Sequence, residues 1–265
     1  MNPREIAIAT VSWARTAQEA QLLRAAMCGL AQVNLPVVVT DGGSGQPFVE
    51  YLRGFRHFTV LEADRPGVLA QTKRSLQGAL QLGRRYVLYT ESDKQLFFAH
   101  GLGAFLARAP GQSQVGVVVA ARSPASFATY PASQRYTETV INRLCGQVIG
   151  QHGDFSYGPL LIHRALIPSL EWLEEDIGWG WRHYILGIAH RMGYRIVQWN
   201  SDLPCPAEQR ADSQAELVHR VRQLSQNLQG LVRALTISDA QLSPREEPEA
   251  KASQEALGRR QERRP

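Results

Sequence analysis

Short apolar runs alternate with amphipathic stretches through the first third of the chain. Runs that are apolar at nearly every position predict strands buried on both faces. Between them, apolar residues spaced three and four apart predict helices, most clearly over 15–32 and 67–83. The predicted strands are 6–11, 36–40, 57–62 and 85–90. This alternation predicts an α/β fold in which a mostly parallel sheet is flanked by helices.

The alternation continues less regularly in the rest of the chain. We predict further strands over 115–120 and 194–199, and one over 154–163 that Gly158-Pro159 interrupts. We also predict a loop over 124–131, helices over 95–109, 133–149 and 212–236, and shorter helices ending at Leu173 and Met192. From Ser243 onward the sequence is rich in charge and has no apolar period, which predicts a disordered tail over 243–265. We therefore expect a single domain over 1–242 that closes with a C-terminal helix.

Composition narrows the classes of function. The 265 residues are 44% hydrophobic, which suits a large buried core, and no apolar run approaches the ~18 residues that cross a bilayer. Three scattered cysteines without a CxxC pair are typical of free thiols in a reducing cytosol. The net charge of +5 is small for this length, and the basic residues are dispersed along the chain without aromatic residues between them. We therefore do not expect nucleic-acid binding.

Polar clusters follow all four of the first strands. Ligands bind at the carboxyl ends of strands in open α/β sheets, so four such clusters predict a binding site at that edge. A GxGxxG fingerprint and a Walker motif are both absent from the sequence, which argues against hydride-transfer enzymes and P-loop kinases. The clusters are Ser12–Arg15, Asp41–Ser44, Glu62–Gly67 and Glu91–Lys94.

The cluster after the fourth strand places two acids one residue apart. Glu91 and Asp93 offer oxygen ligands of the kind that Mg²⁺ or Mn²⁺ binds together with substrate phosphates. Alternatively, Asp93 simply caps the following helix, although this does not account for Glu91.

These segments, in this order, resemble the glycosyltransferases of the GT-A fold, most closely family 2. The resemblance covers roughly residues 5–200 and rests on the first strand with its SWAR end, the VVVTDGGSG and GVLAQTK segments, and YTESDK. It implies a nucleotide-binding half over 1–94 and an acceptor-binding half over 95–242. It also implies a nucleotide-sugar site formed by Ser12, Trp13, Asp41, Lys73, Glu91 and Ser92.

Within that resemblance, Glu91–Asp93 stands where the family has its DxD motif. Asp93 would then hold Mg²⁺ or Mn²⁺ beside the donor diphosphate, with Glu91 as a second ligand. The family usually has Asp where this chain has Glu91, which puts metal dependence in question. Trp13 would stack on the nucleobase and Asp41 would accept a hydrogen bond from its edge.

A second acidic segment, Glu174–His183, resembles the family's ED motif. Asp176 would be the base that deprotonates the acceptor hydroxyl, in a single displacement. Acceptor-binding residues would be Glu175, Trp179 and Trp181, and His183 would be a further metal ligand. The alternatives are acids that complement a helix dipole and a histidine packed in the core.

The resulting prediction is a cytoplasmic enzyme that moves a sugar from a UDP- or GDP-linked donor to a hydroxyl acceptor, with Mg²⁺ or Mn²⁺. Three alternatives stay open: a retaining GT-A enzyme of the mannosylglycerate-synthase type, a nucleotidyltransferase, and a non-catalytic nucleotide-sugar binding protein. Arg210 and Arg220 would contact phosphate if the last helix folds back over the site.

Overall fold

A seven-stranded sheet forms the centre of the molecule. In a computed structural model, which describes residues 3–108 and 114–242, the strand order is β3-β2-β1-β4-β6-β5-β7. The strands are β1 (Ile6–Ser12), β2 (Val37–Asp41), β3 (Phe58–Glu62), β4 (Tyr86–Glu91), β5 (Val115–Arg122), β6 (Leu160–His163) and β7 (Arg195–Ser201). β6 runs antiparallel to its neighbours β4 and β5, and every other pairing is parallel, which confirms the predicted mixed, mostly parallel sheet.

Helices connect the strands and flank the sheet. They are α1 (Ala17–Ala31), α2 (Gln46–Arg53), α3 (Val68–Leu80), α4 (Leu102–Arg108), α5 (Pro124–Ala128), α6 (Ala132–Ile149), α7 (Trp181–Arg191), α8 (Gln214–Thr236) and α9 (Asp239–Leu242). A π-helical turn, Phe97–Gly101, leads into α4, and Arg164–Trp172 forms a 3₁₀ helix after β6. Within the two described ranges, no helix is both long enough and apolar enough to span a bilayer.

Burial explains the strand pattern. β1, β2, β4 and β5 are buried at every position, because helices cover both faces of the sheet. The core continues from these strands into aromatic side chains of the π-helical turn and α4, where the Phe97 and Phe105 rings pack edge to face.

Two predicted elements were wrong. The segment predicted as a loop over 124–131 contains α5, because the Ser123 hydroxyl accepts a hydrogen bond from the Ser126 amide and Pro124 occupies the first turn. Of the strand predicted over 154–163, only the part after the predicted interruption at Gly158-Pro159 is a strand, β6; Gly158 there adopts a φ of 131°.

The described chain divides into two compact units, Met1–Leu235 and the part that begins at Thr236. The first unit contains the whole sheet and every site residue discussed below. The second contains α9. The predicted tail over 243–265 lies outside the described residues.

Candidate functional site

A polar cavity of about 410 Å³ opens at the carboxyl end of β4. Its wall comes from β4 and the turn after it, from the end of β5, from the loop before β6, and from α6, α7 and α8. The charged side chains in this wall are Arg15, Glu91, Asp93, Lys94, Arg122, Glu138, Arg182 and Arg220. Glu91 and Asp93 therefore reach a cavity at the predicted edge of the sheet.

Glu91 is held by an arginine from α7. Nη1 of Arg182 donates a 2.9 Å hydrogen bond to Oε1 of Glu91, and both side chains are almost completely buried. Oε2 of Glu91 is buried without a hydrogen-bond partner in the described chain, and a methyl group on Gly158 would collide with it. The Arg182 guanidinium also lies 5.1 Å from the centre of the Trp179 ring. Arg182 thus connects the end of β4 to Trp179, in the segment that resembles the ED motif.

Asp93 is the accessible carboxylate of the pair. Its side chain is 54% exposed, and Nζ of Lys94 lies 3.9 Å from Oδ1. Burial opposes the charge on Lys94, but Asp93 and Glu91 outweigh it and raise the pKa of the ammonium group. Lys94 also lies 5.0 Å above the Tyr157 ring. A fixed positive charge therefore stands beside an open carboxylate.

Sequence reasoning missed Arg122, whose side chain is fully buried beside the cavity. Its guanidinium donates to Asp154 at 2.7 and 2.9 Å and to Glu138 at 2.6 Å, and it stacks 4.4 Å from the Tyr130 ring. Burial disfavours the charge, yet the two acids raise the pKa of Arg122 well above its usual value, and Arg122 in turn lowers the pKa of Asp154.

The Arg122 network also positions the loop that covers Glu91. Asp154 accepts from the Ser156 amide, while the Asn142 side chain accepts from the Ser156 hydroxyl and donates to Asp154. Asp154 lies in the loop that precedes β6, and the sequence did not predict it as a partner of Arg122. The sequence carried one usable signal, a lone Arg that ends a run of apolar strand residues.

The residues predicted to hold the nucleobase lie at the ends of β1 and β2. Asp41 accepts four hydrogen bonds: from the Ser12 hydroxyl at 2.8 Å, the Ser44 hydroxyl at 2.7 Å, and the Gly43 and Ser44 amides at 3.0 and 2.6 Å. These donors use all of its acceptor positions, so Asp41 fixes the turn after β2, and a nucleobase would have to displace one of them. Trp13 is half exposed, with the Arg15 guanidinium 5.4 Å from its ring.

The structure does not bring Lys73 or Ser92 to the cavity wall. Nζ of Lys73 donates a 2.7 Å hydrogen bond to the carbonyl of Leu173, and its burial lowers its pKa. Lys73 therefore anchors the segment that precedes the ED-like motif to α3. Ser92 is buried between the two acids.

The two acids of the ED-like motif, Glu175 and Asp176, contact different parts of the structure. Glu175 is 72% exposed and pairs with Arg233 of α8 at 2.6 Å, away from the cavity wall. Oδ1 of Asp176 accepts from the Gly178 amide at 2.8 Å, and its carboxylate lies against Gly67, the residue before α3. Asp176 is exposed but is not part of the wall that contains Glu91 and Asp93.

Two predicted site residues belong to the core. Trp181 is fully buried and packs edge to face on Tyr89 at 4.6 Å, so it offers no stacking surface to a sugar. His183 is also fully buried, and this burial, with Arg182 nearby, lowers its pKa to about 3. The structure does not bring His183 to Glu91 and Asp93. In the described part of the chain, no three His, Cys, Asp or Glu side chains form a metal-binding group.

The first half of α8 contributes His219, Arg220 and Gln223 to the cavity wall. The helix packs against the 178–180 segment so closely that a Cβ on Gly230 would collide with the Gly180 carbonyl. Its first half brings Arg220 to the cavity wall, where the guanidinium pairs with Glu216 at 2.6 Å. Arg210 is not part of that wall and donates to the Cys205 carbonyl instead.

The fold is that of the GT-A glycosyltransferases, as the sequence predicted. Several solved structures of glucosyl-3-phosphoglycerate synthase from Mycobacterium tuberculosis share it. The complex with Mn²⁺, UDP and glucosyl-3-phosphoglycerate aligns with a TM-score of 0.62 at 15% identity, covering 86% of this chain and 80% of that one. The complex with Mn²⁺, UDP-glucose and phosphoglyceric acid aligns with a TM-score of 0.61 at 18% identity, covering 89% and 81%.

A third complex of that synthase, with Mg²⁺ and UDP, aligns with a TM-score of 0.61 at 17% identity, covering 86% of this chain and 80% of that one. No family model and no curated protein sequence matches the chain. At these identities, the likeness establishes the fold.

Proposed function

We propose that the protein is a glycosyltransferase that moves a sugar from a nucleoside-diphosphate sugar, UDP- or GDP-linked, to a hydroxyl acceptor. The observation that carries this proposal is the cavity at the carboxyl edge of a GT-A sheet, with Glu91 and Asp93 in its wall among five cationic side chains. The structural neighbours were solved with UDP or UDP-glucose, which fits a donor of this class.

The residues present fit a divalent cation. Asp93 presents an open carboxylate, and Mg²⁺ is commonly bound by one or two carboxylates together with substrate phosphates and waters. Asp93 would hold the ion. Arg182 engages Oε1 of Glu91, so Glu91 would join through Oε2, which is buried without a hydrogen-bond partner in the described chain. The ion, when bound, would neutralise charge on the departing diphosphate. Mn²⁺ and Mg²⁺ accompany UDP in the neighbours.

The acceptor in this proposal is a small hydroxy acid. Arg182 and Arg220 bring guanidinium groups to the cavity wall, and arginine suits bidentate recognition of carboxylate and phosphate. The neighbours were solved with phosphoglyceric acid, an acceptor of this chemistry. Trp179 remains the proposed apolar surface for a sugar ring, because it lies in the same wall.

Two stereochemical courses are proposed. In the inverting course, Asp176 removes the acceptor proton. The retaining course needs no committed base, and the position of Asp176 outside the cavity wall favours it. The anomeric configuration of the product, read by proton NMR, separates the two. Under the inverting course Asp176→Asn abolishes transfer, whereas under the retaining course it leaves the turnover number within about tenfold of the wild type.

The test of function is release of nucleoside diphosphate from UDP- and GDP-sugars, with Mn²⁺ and a panel of hydroxy-acid acceptors. Acceptor-dependent release that is lost in Asp93→Asn supports the proposal. Glu50→Gln is the control, since Glu50 is an exposed acid of α2 outside the cavity wall.

Other outcomes of this assay would count against sugar transfer. Pyrophosphate release from a nucleoside triphosphate would support a nucleotidyltransferase, and donor binding without turnover would support a non-catalytic protein. We also propose a cytoplasmic location, since Cys28 and Cys145 are free thiols.

A further inference from the structure

The edge of the sheet opposite the cavity is lined with arginine. The parallel strands all begin at this edge of the sheet, and the antiparallel strand β6 ends at it. Residues at or just before the start of a parallel strand, and residues just after β6, therefore lie in one row. Two contacts confirm the row: Nη1 of Arg84 donates to the carbonyl of Arg4, and the Arg164 amide donates to the carbonyl of Arg85. The basic edge consists of Arg4, Arg56, Arg84, Arg85, Arg164 and Arg195.

The two edges of the sheet differ in their acidic residues. The opposite, carboxyl edge carries acids at the ends of β2, β3 and β4 and just after β7: Asp41, Glu62, Glu91 and Asp202. At the basic edge, Glu5 is the acidic residue that stands beside a strand start in the described chain. Cationic side chains occur at both edges, but those at the carboxyl edge stand beside acids such as Glu91 and Asp93, whereas six arginines stand beside Glu5 at the basic edge.

Helix dipoles do not account for the arrangement. A basic residue in the last turn of a helix complements the dipole, as Arg53 does in α2. The six residues of the basic edge stand instead beside strand ends, where net dipoles are small. Two of these arginines act on a neighbouring histidine: burial lowers the pKa of His163, and the charges of Arg85 and Arg164 lower it further.

The shape and composition of the basic edge favour a flat, anionic partner. The row runs from β3 to β7, so at about 4.8 Å per strand it extends roughly 29 Å. Leu82, 41% exposed, follows α3 and lies two residues before Arg84, which gives the edge an apolar side chain. The exposed aromatics of the described chain, Trp13 and Tyr136, lie after β1 and within α6, so the edge offers no stacking surface for unpaired bases.

We propose that the basic edge docks the protein on the anionic surface of a lipid bilayer. Arginines that approach anionic headgroups strengthen binding by about fivefold each, and an exposed leucine beside them can enter the interface. In this orientation the cavity, at the other end of the strands, faces away from the bilayer and stays open to water-borne substrates.

The experiment is co-sedimentation of the full chain with vesicles of phosphatidylcholine, with and without phosphatidylglycerol. We expect binding to the anionic vesicles that is lost near 1 M salt, where the Debye length falls to about 3 Å. The test variant is R56Q/R164Q, and its expected effect is a roughly 25-fold weaker partition. R143Q/R222Q removes the same charge from the exposed surfaces of α6 and α8 and should bind like the wild type.

Three results would overturn the proposal: equal binding to both kinds of vesicle, equal loss in the two double variants, or no vesicle binding alongside tight, salt-sensitive binding of duplex DNA or RNA. The thermal midpoints of both variants should match that of the wild type, because all four arginines are exposed. If R56Q/R164Q were unfolded, the dependence of the unmodified chain on lipid charge and salt would still decide the question.

Discussion

Replacing Arg122 with methionine tests whether the buried network under the cavity holds the site together. The change keeps an unbranched side chain but removes the charge. Arg122 is 0% exposed, and its partners Glu138 and Asp154 are 11% and 9% exposed, so two carboxylates would stay buried without their cation. Breaking one buried ion pair costs about 3–5 kcal/mol, and the lost stacking on Tyr130 adds about 1–2 kcal/mol.

We therefore expect Arg122→Met to lose at least about 4 kcal/mol, a large share of the 5–15 kcal/mol typical of a folded protein. The thermal midpoint should fall by roughly 10 °C or more. Urea unfolding followed by tryptophan fluorescence measures the loss. The pKa of Asp154 is lowered in the folded state, so its contribution is present above about pH 4 and disappears as the pH falls further.

The control for this prediction is Arg143→Met on the exposed surface of α6, which should change stability by less than about 0.5 kcal/mol. Adding Glu138→Gln to Arg122→Met should recover part of the loss, because it neutralises one of the stranded carboxylates. A loss below about 1 kcal/mol in Arg122→Met would refute the reasoning.

Three further predictions follow from the same structure. His183 has a pKa of about 3 in the folded protein and about 6.5 in the unfolded chain, so the free energy of unfolding should fall as the pH drops below 6.5. The expected loss at pH 5 is about 2 kcal/mol, and urea titrations of His183→Gln should no longer show this pH dependence. Gly158→Ala should lower the free energy of unfolding by at least about 2 kcal/mol, because Gly158 has a positive φ and the added methyl group would clash with the Glu91 carboxylate. Gly103→Ala is the control: it lies in open space within α4, so it should leave stability unchanged or increase it. A maleimide should label exposed Cys28 in the folded protein, but buried Cys145, whose pKa is raised to about 12, only after unfolding; equal labelling rates would contradict this.

The sequence was sufficient for the sheet and for the edge that carries the site. Strands β1, β2 and β4 are buried at every position, so their apolar runs were unambiguous, and the acids after β4 marked the cavity. α5 was missed because a single capping turn around Ser123 produces no periodic signal. Such local hydrogen bonds depend on side-chain geometry that composition does not reveal.

The chemistry of the site was less predictable than its location. Trp181 and Trp179 stand two residues apart in the sequence, yet the first packs on Tyr89 and the second lines the cavity. The ion pairs of Arg122 and Arg182 join residues that are 16 to 91 positions apart in sequence. Only the folded sheet brings such partners together, so no local pattern could have predicted them.

The central claim is that Asp93, beside Glu91 at the end of β4, presents its carboxylate to a cation that accompanies a nucleoside diphosphate. Isothermal titration of UDP and GDP into the protein, with and without Mn²⁺, tests this claim most directly. We predict that one of the two nucleotides binds with a strict need for Mn²⁺, that Asp93→Asn removes this binding, and that Glu50→Gln, on the exposed surface of α2, preserves it. Binding of neither nucleotide, or unchanged Mn²⁺-dependent binding in Asp93→Asn, would contradict the account.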